Sequence, residues 1–254
     1  VAGRRRSFRV VTYNVHKCRG LDRRVSPRRI VRVLEAIDAD IIGLQEVVSL
    51  RGRKREDDQV RLIADELGYE CEFGPVRTYR AGLYGNATLS RLPIRAVRTY
   101  DISLQERERR GCLRTDIEVF PGFILHVYNV HLGTDLAERE RQADKLLGVE
   151  VLKRRSLRGP RIMLGDFNDW TQGLTTRLLS AHFSGEDIRT RLGTTRTYPG
   201  VLPLLYLDHI FYDSALRLES VRLFRSRATL IASDHLPIVA DFSIPKAPAG
   251  PSVN

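Results

Sequence analysis

Residues 233–242 read SDHLPIVADF. Asp234 and His235 stand side by side at the mouth of an apolar run, Ile238–Val239–Ala240, which reads as a buried β-strand. Placing two titratable groups there is costly unless they are paired or hold a metal ion. The pair is either a surface accident or one corner of a site, and the remaining strands decide between the two.

The same pattern recurs along the chain. FRVVTY (8–13) ends in Asn14, and DIIGL (40–44) ends in Gln45–Glu46. FILHVYNV (123–130) runs to His131, with Asn129 two residues earlier. RIML (161–164) runs into Gly165–Asp166–Phe167–Asn168–Asp169, and Asp208–His209 opens the run IFY (210–212). In α/β architectures, sites are built where strands end and loops begin. Six strand ends filled from the oxygen-donor and imidazole set are too many for accident.

Helical patterns alternate with these strands. Ser26 is an N-cap and Pro27 a first helical residue, followed by Ile30, Val33, Leu34 and Ile37 at helical spacing. Val60–Leu67 is a second helix, and Thr134 to about Arg155 is expected to be the longest. Pro121–Gly122 marks a tight turn between two strands. Strands interspersed with helices imply an α/β domain with helices covering sheet faces. A single domain over residues 1–244 and a disordered tail over 245–254 are expected.

Composition narrows the partners. Of 254 residues, 42 are Lys or Arg and 31 Asp or Glu, a net charge of +11. That excess favours a polyanion: nucleic acid, an anionic lipid surface or a phosphorylated small molecule. An Arg-rich surface laced with ion pairs would look the same, and charge alone admits both. The three cysteines, Cys18, Cys71 and Cys112, form no CxxC and no disulfide framework. They favour a reducing, cytoplasmic setting. The chain begins at Val, so a removed leader and secretion stay open.

Asn14, Glu46, Asp166, Asn168 and Asp234 offer carboxylate and amide oxygens, the donor set of Mg2+ or Mn2+ rather than zinc. Clustered carboxylates without a cation would raise one another's pKa. His131 and His235 can move protons near neutral pH, and an aspartate such as Asp208 could hold one imidazole in its working tautomer. Metal-assisted hydrolysis of a phosphoester uses all these parts.

Together TYNVH (12–16), LQEV (44–47), YNVHLG (128–133), GDFND (165–169), LDHIF (207–211) and SDHLP (233–237) resemble, in order, the motif series of the endonuclease/exonuclease/phosphatase superfamily, the deoxyribonuclease I-like fold. The resemblance implies a four-layer α/β sandwich of two packed mixed β-sheets with helices on the outer faces. It also implies a metal-dependent phosphodiesterase or phosphatase. By that resemblance Glu46 is the principal metal ligand, with Asn14 beside it and Asp234 on the same or a second ion. Asp166 orients or deprotonates the attacking water, and Asn168 holds a phosphate oxygen. His235 contacts the scissile phosphate with Asp208 behind it, and His131 stands near the leaving group. His16, Arg110 and Arg114 are candidate contacts to substrate phosphate. His126, inside a strand, reads as structural, and Phe167 and Trp170 read as packing residues.

Departures from the pattern select among members. VHKCRG (15–20) lacks the run typical of apurinic-site endonucleases, and LYLDHIF (205–211) lacks the stretch typical of inositol-polyphosphate phosphatases. Sphingomyelinase-like, deadenylase-like and tyrosyl-DNA phosphodiesterase-like members share the LQEV and GDFN forms. The chain most resembles compact bacterial members of undefined substrate. SLRGRKR (49–55) follows Glu46 and ERERRGCLR (106–114) leads into a strand; a basic segment beside such a site would track a nucleic-acid backbone. Phospholipid hydrolysis would want an exposed apolar loop. The one candidate, GVLPLLYL (200–207), precedes Asp208 and reads as core. A nuclease acting on DNA, and then RNA, ranks first, a lipid or small-molecule phosphodiesterase second, and an inactive polyanion-binding protein third. A monomer without a stable protein partner is expected.

Overall fold

The computed structural model describes residues 7–50, 58–154, 156–170, 173–183, 188–193 and 196–245. The expected basic loop after Ser49 and all but the first residue of the expected tail lie outside them.

Among the described residues, eleven strands form two sheets. The first contains β1 (Ser7–Asn14), β2 (Ile41–Ser49), β3 (Glu70–Tyr79), β4 (Gly82–Ser90), β10 (Arg217–Leu223) and β11 (Ile238–Ser243), in the order β10-β11-β1-β2-β4-β3. The second contains β5 (Ile94–Asp101), β6 (Gly111–Phe120), β7 (Phe123–His131), β8 (Arg161–Asp166) and β9 (Asp208–Tyr212), in that order. Both are mixed. The parallel pairs β1/β2 and β7/β8 are each joined through a helix, α1 (Pro27–Ile37) and α3 (Leu136–Leu146). The others are α2 (Gln59–Leu67), α4 (Leu174–His182), α5 (Arg189–Leu192) and α6 (Arg227–Ala232). The expected two-sheet α/β sandwich is the fold.

Period-two alternation divides the apolar residues into three layers. Val10, Ile41, Val127, Ile162, Leu164 and Ile210 meet between the sheets. Their neighbours Val11 and Ile42 face outward onto Ile30, Leu34 and Ile63 of α1 and α2. Tyr128, Met163 and Phe211 face outward onto Leu146 of α3 and Leu179 of α4. The inter-sheet faces then run Phe8–Val10–Thr12–Asn14, Leu125–Val127–Asn129–His131, Ile162–Leu164–Asp166 and, in reverse, Tyr212–Ile210–Asp208. Each series is apolar at one end and polar at the other, and the polar ends coincide.

Midway lies a buried polar bridge between the sheets. Gln45 Nε2 donates to Asn129 Oδ1 (2.8 Å), while Asn129 Nδ2 donates to the carbonyls of Ala87 (2.8 Å) and Leu44 (3.1 Å). Gly43 permits the close approach: a Cβ there would stand 2.2 Å from Leu164 Cδ1.

Several expectations need correction. The helix expected from Thr134 to about Arg155 is shorter, because Asp135 caps its start by accepting from Glu138 N and the chain turns at Leu147–Gly148. The segment GVLPLLYL is core only in part. Tyr206 and Leu207 are buried, but Val201, Leu202 and Leu204 are 50%, 67% and 53% exposed. The chain turns back there, with Leu204 and Leu205 N–H both bonding Tyr198 O, so its tip projects away from β9. Trp170 is not a packing residue either, being 48% exposed.

Asn129→Ala strips three hydrogen bonds and leaves buried donors and acceptors unmet, at ~1–3 kcal/mol for each such group. The expected loss is about 3 kcal/mol or more in urea unfolding; a loss under about 1 kcal/mol would show that the bridge does not hold the sheets.

Candidate active site

Strand register assembles the site. His131 pairs with Asp166 across β7/β8, and Asp166 pairs with Asp208 across β8/β9. The three stand in one row on the inter-sheet face, and Asp166 and Asp208 would repel as directly opposed carboxylates. His235, from the loop before β11, lies between them. Its Nδ1 is 2.9 Å from Asp208 Oδ2 and its Nε2 is 3.7 Å from Asp166 Oδ2. From the other sheet, Asn14 Nδ2 donates to Asp166 Oδ2 (2.9 Å) and to Glu46 Oε1 (3.3 Å).

Glu46 reaches the site through a β-bulge. Gln45 and Glu46 together oppose Asn86 on β4, and Glu46 adopts φ +59°. Without the extra residue, strand alternation would send Glu46 to the helix-covered face. Asn168 is also left-handed, at φ +51°, and so are three consecutive residues after β1: His16, Lys17 and Cys18 at +46°, +58° and +56°. Such conformations cost on the order of 1 kcal/mol or more per non-glycine residue and cluster where side chains must be aimed. The turn after β1 puts His16 Nδ1 2.7 Å from Asp234 Oδ2 and Lys17 Nζ 2.6 Å from Glu46 Oε2. Gly165 must be glycine: its φ is +145° and a Cβ would stand 1.9 Å from Val130 O.

Burial acts oppositely on the two histidines once their neighbours are counted. His131 is pushed down to about 4, first by burial and then by the Arg110 guanidinium. Burial would also depress His235, but Asp208, through charge and hydrogen bond, together with Asp166 and Asp234, raises it to about 10. At neutral pH His131 is a neutral imidazole and His235 an imidazolium that donates to Asp208. Burial raises Asp166, against the pull of His235. Burial would raise Glu46 as well, yet the charge of His131, the charge and hydrogen bond of Lys17 and a hydrogen bond from Asn14 hold it at about 2, in the acid range where His131 is itself protonated. At pH 7, with His131 neutral, Lys17 is the cation paired with Glu46.

The donor chemistry fits a divalent cation. Glu46, Asp166, Asp208 and Asp234 bring four carboxylates, against which His235 and Lys17 supply two positive charges. The residual negative charge and the all-oxygen donors suit Mg2+ or Mn2+. Ligand atoms of Asp166, Asp208 and His235 lie within 4.8 Å of one another. The His235 imidazolium offsets one of the two carboxylates of that trio and already fills the space between them, so Glu46, with Asn14 and Asp234, is the better place for an ion.

Eight residues expected from sequence therefore meet at one end of the inter-sheet core: Asn14, Glu46, His131, Asp166, Asn168, Asp208, Asp234 and His235. Asn168 donates from its backbone to Asp166 Oδ1 and from its side chain to Leu132 O, both at 2.9 Å. His16 joins them through Asp234. Arg110 is buried beside His131; its Nη2 meets Glu108 at 2.9 Å, while Nε and Nη1 have no hydrogen-bond partner among the described residues. Arg114 is engaged elsewhere, with Asp116 and the Tyr100 hydroxyl. His126 bonds Asp116 inside its strand, and His209 packs among Phe167, Tyr206 and Phe211. Three site neighbours went unread in the sequence. Lys17 pairs with Glu46. Ser233 Oγ donates to Asn14 O (2.8 Å). The Tyr198 ring lies 4.9 Å from that of His235. The only signal for the first two was adjacency to Asn14 and Asp234.

A carboxylate–histidine cluster capping a two-sheet sandwich defines a phosphoric ester hydrolase of the metal-dependent kind. The chain belongs to the endonuclease/exonuclease/phosphatase family, whose model matches residues 11–235. It is 31% identical over 249 residues to YbhP of Escherichia coli (strain K12), covering 94% of this chain and 97% of that one. An endonuclease/exonuclease/phosphatase from Beutenbergia cavernae superposes with a TM-score of 0.75 at 22% identity, over 97% of this chain and 74% of that one. The mannosyl-6-phosphatase Bt3783 of Bacteroides thetaiotaomicron gives 0.73 at 17%, over 93% and 100%.

The His131 shift has a stability consequence. Its folded value of about 4 lies below the ordinary imidazole value of about 6.5, so between them only the unfolded chain takes the proton. The contribution is present above that range and lost as pH falls through it, by up to about 3 kcal/mol. His131→Gln should flatten this acid limb in urea unfolding at pH 4.5 and 7; an equal pH slope in both proteins would place His131 in a solvated setting.

Proposed function

We propose that this chain hydrolyses phosphodiesters, with nucleic acid, DNA first, as substrate. The observation that carries the hydrolytic reading is Asp166 held between a cationic His235 and a neutral His131, with Glu46 and Asn14 alongside. A carboxylate made more basic by burial is suited to take a proton from water. His235, fixed by Asp208, presents its Nε2–H where negative charge develops on the phosphoryl oxygens. His131, neutral and beside Asp166, is a hydrogen-bond partner for the leaving oxygen. Asn168 braces Asp166, and the buried Arg110 guanidinium adds positive charge beside His131. A divalent cation at Glu46, Asn14 and Asp234 would polarise a phosphoryl oxygen and lower the pKa of bound water.

The net charge of +11 supports nucleic acid. A phospholipid substrate is the second reading, favoured by the exposed apolar tip at Val201, Leu202 and Leu204.

Supercoiled plasmid, single-stranded DNA and RNA incubated with Mg2+, Mn2+ or chelator test the first reading. Cleavage is expected with metal and absent from a Glu46→Gln/His235→Ala variant; intact nucleic acid under every metal would sink the nuclease assignment. Calorimetry should show Glu46→Gln binding metal at least tenfold more weakly, and unchanged affinity would remove Glu46 from the ligand set. His235 must keep its proton, so kcat/KM should hold through neutral pH and fall near pH 10. Asp208→Asn should bring that fall toward neutrality; an unmoved profile would show that Asp208 does not support the imidazolium.

A further inference from the structure

Among the described residues, three exposed large apolar side chains share one turn beside the site, and others stand near site residues in sequence. Val201, Leu202 and Leu204 follow Tyr198, Trp170 is two residues beyond Asn168, and Ile231 is three residues before Asp234. Leu21, Val25, Val97, Leu136, Val149 and Leu174 are also exposed, on other segments. Three exposed apolar side chains on one turn beside a site mark an interaction surface.

The 198–205 turn is built into the site, not appended to it. Gly200 N donates to Asp234 O (2.7 Å), Leu236 N donates to Thr197 O (3.0 Å), and the Tyr198 ring packs on His235. Its tip is framed by exposed arginines. Arg196 Nη1 donates to Leu204 O (2.7 Å) and Arg225 Nη2 to Val201 O (3.2 Å), so both guanidinium groups are held against the turn that displays the leucines. Arg222 and Arg227 are exposed nearby in sequence, flanking Arg225. Apolar side chains at a tip with fixed cations at its base match the boundary between acyl chains and anionic headgroups. A nucleic-acid backbone would use the arginines and leave Val201, Leu202 and Leu204 without a role.

We propose that the 198–205 turn docks the protein on an anionic lipid bilayer, with Val201, Leu202 and Leu204 entering the interface and Arg196 and Arg225 meeting the headgroup phosphates. No helix among the described residues is long and apolar enough to cross a membrane, and docking requires none. The proposal deepens the second reading above: a site whose His235 touches the docking turn meets the phosphodiester of a phospholipid headgroup.

The test is co-sedimentation in chelator, so that turnover does not interfere. The vesicles are phosphatidylglycerol with phosphatidylcholine in equal parts, against phosphatidylcholine alone. The full chain is expected to bind the mixed vesicles and to be released by salt. Val201→Ser/Leu202→Ser/Leu204→Ser should bind them at least tenfold more weakly while keeping its melting temperature and its turnover of bis(p-nitrophenyl) phosphate. Arg196→Gln/Arg225→Gln should abolish the preference for the anionic lipid. Vesicle binding by the triple variant equal to that of the parent, or no binding by the parent, would overturn the proposal. So would single-stranded DNA binding that depends on the same three apolar side chains. Turnover of the soluble diester reads the hydrolase assignment separately, so the loss of either conclusion is visible without the other.

Discussion

One hydrogen-bonded contact, between Gln45 and Asn129, governs how the two halves of this molecule meet. Apolar packing between sheets is nondirectional and would tolerate sliding by a residue or two. Buried amides do not tolerate it, since a slipped register would leave Gln45 Nε2, Asn129 Nδ2 and the carbonyls they satisfy without partners in a dry interior. Gly43 lets the sheets close, and Asn129 fixes where they close. One step further along the same faces, Asn14 reaches across to Asp166. The catalytic row belongs to one sheet and the cation ligands to the other, so the site exists only in the alignment that the amide bridge selects.

The second constraint is where each strand stops behaving as a strand. Glu46 would be lost to the helix side without its bulge, and His16 and Lys17 would not reach Asp234 and Glu46 without three successive left-handed residues. These distortions concentrate at one end of the molecule. The regular parts of the strands lie in the apolar layers, and the irregular parts carry chemistry. A stable core therefore tolerates a strained rim, because the strain sits where local opening exposes little apolar surface.

How much could be read beforehand follows from this division. Alternation made the apolar runs legible as strands, and the polar residue at the end of each run made the site legible, because both signals are local. β3 and β5 went unread: both are edge strands, and β5 is largely exposed and lacks a continuous apolar run. Lys17 went unread because its role comes from a backbone turn that no composition announces. GVLPLLYL misled for the opposite reason. Its apolar residues promised core, but the chain doubles back on Tyr198, and an apolar run that reverses direction puts its tip outside. Of the two basic runs that favoured nucleic acid, residues 51–55 lie beyond the described residues, and the run 106–114 turns Arg107, Arg109 and Arg110 toward Asp135, Asp101 and Glu108.

The two site histidines show why a cluster of this kind had to be seen in three dimensions before its chemistry could be assigned. Both end in the same buried space, and burial disfavours the charged form of each. His131 has a guanidinium near it and settles as a neutral ring; His235 has Asp208 behind it and stays cationic. Sequence offers two equivalent imidazoles, whereas their neighbours make one a fixed positive charge and the other a neutral partner. Asp166 lies within 4 Å of both rings. A water at that carboxylate would therefore have a base against it, a cation on one side to receive the developing phosphoryl charge, and an uncharged donor on the other. The asymmetry gives the attack on phosphorus a direction, and it depends on the Asp208 charge that holds the proton on His235.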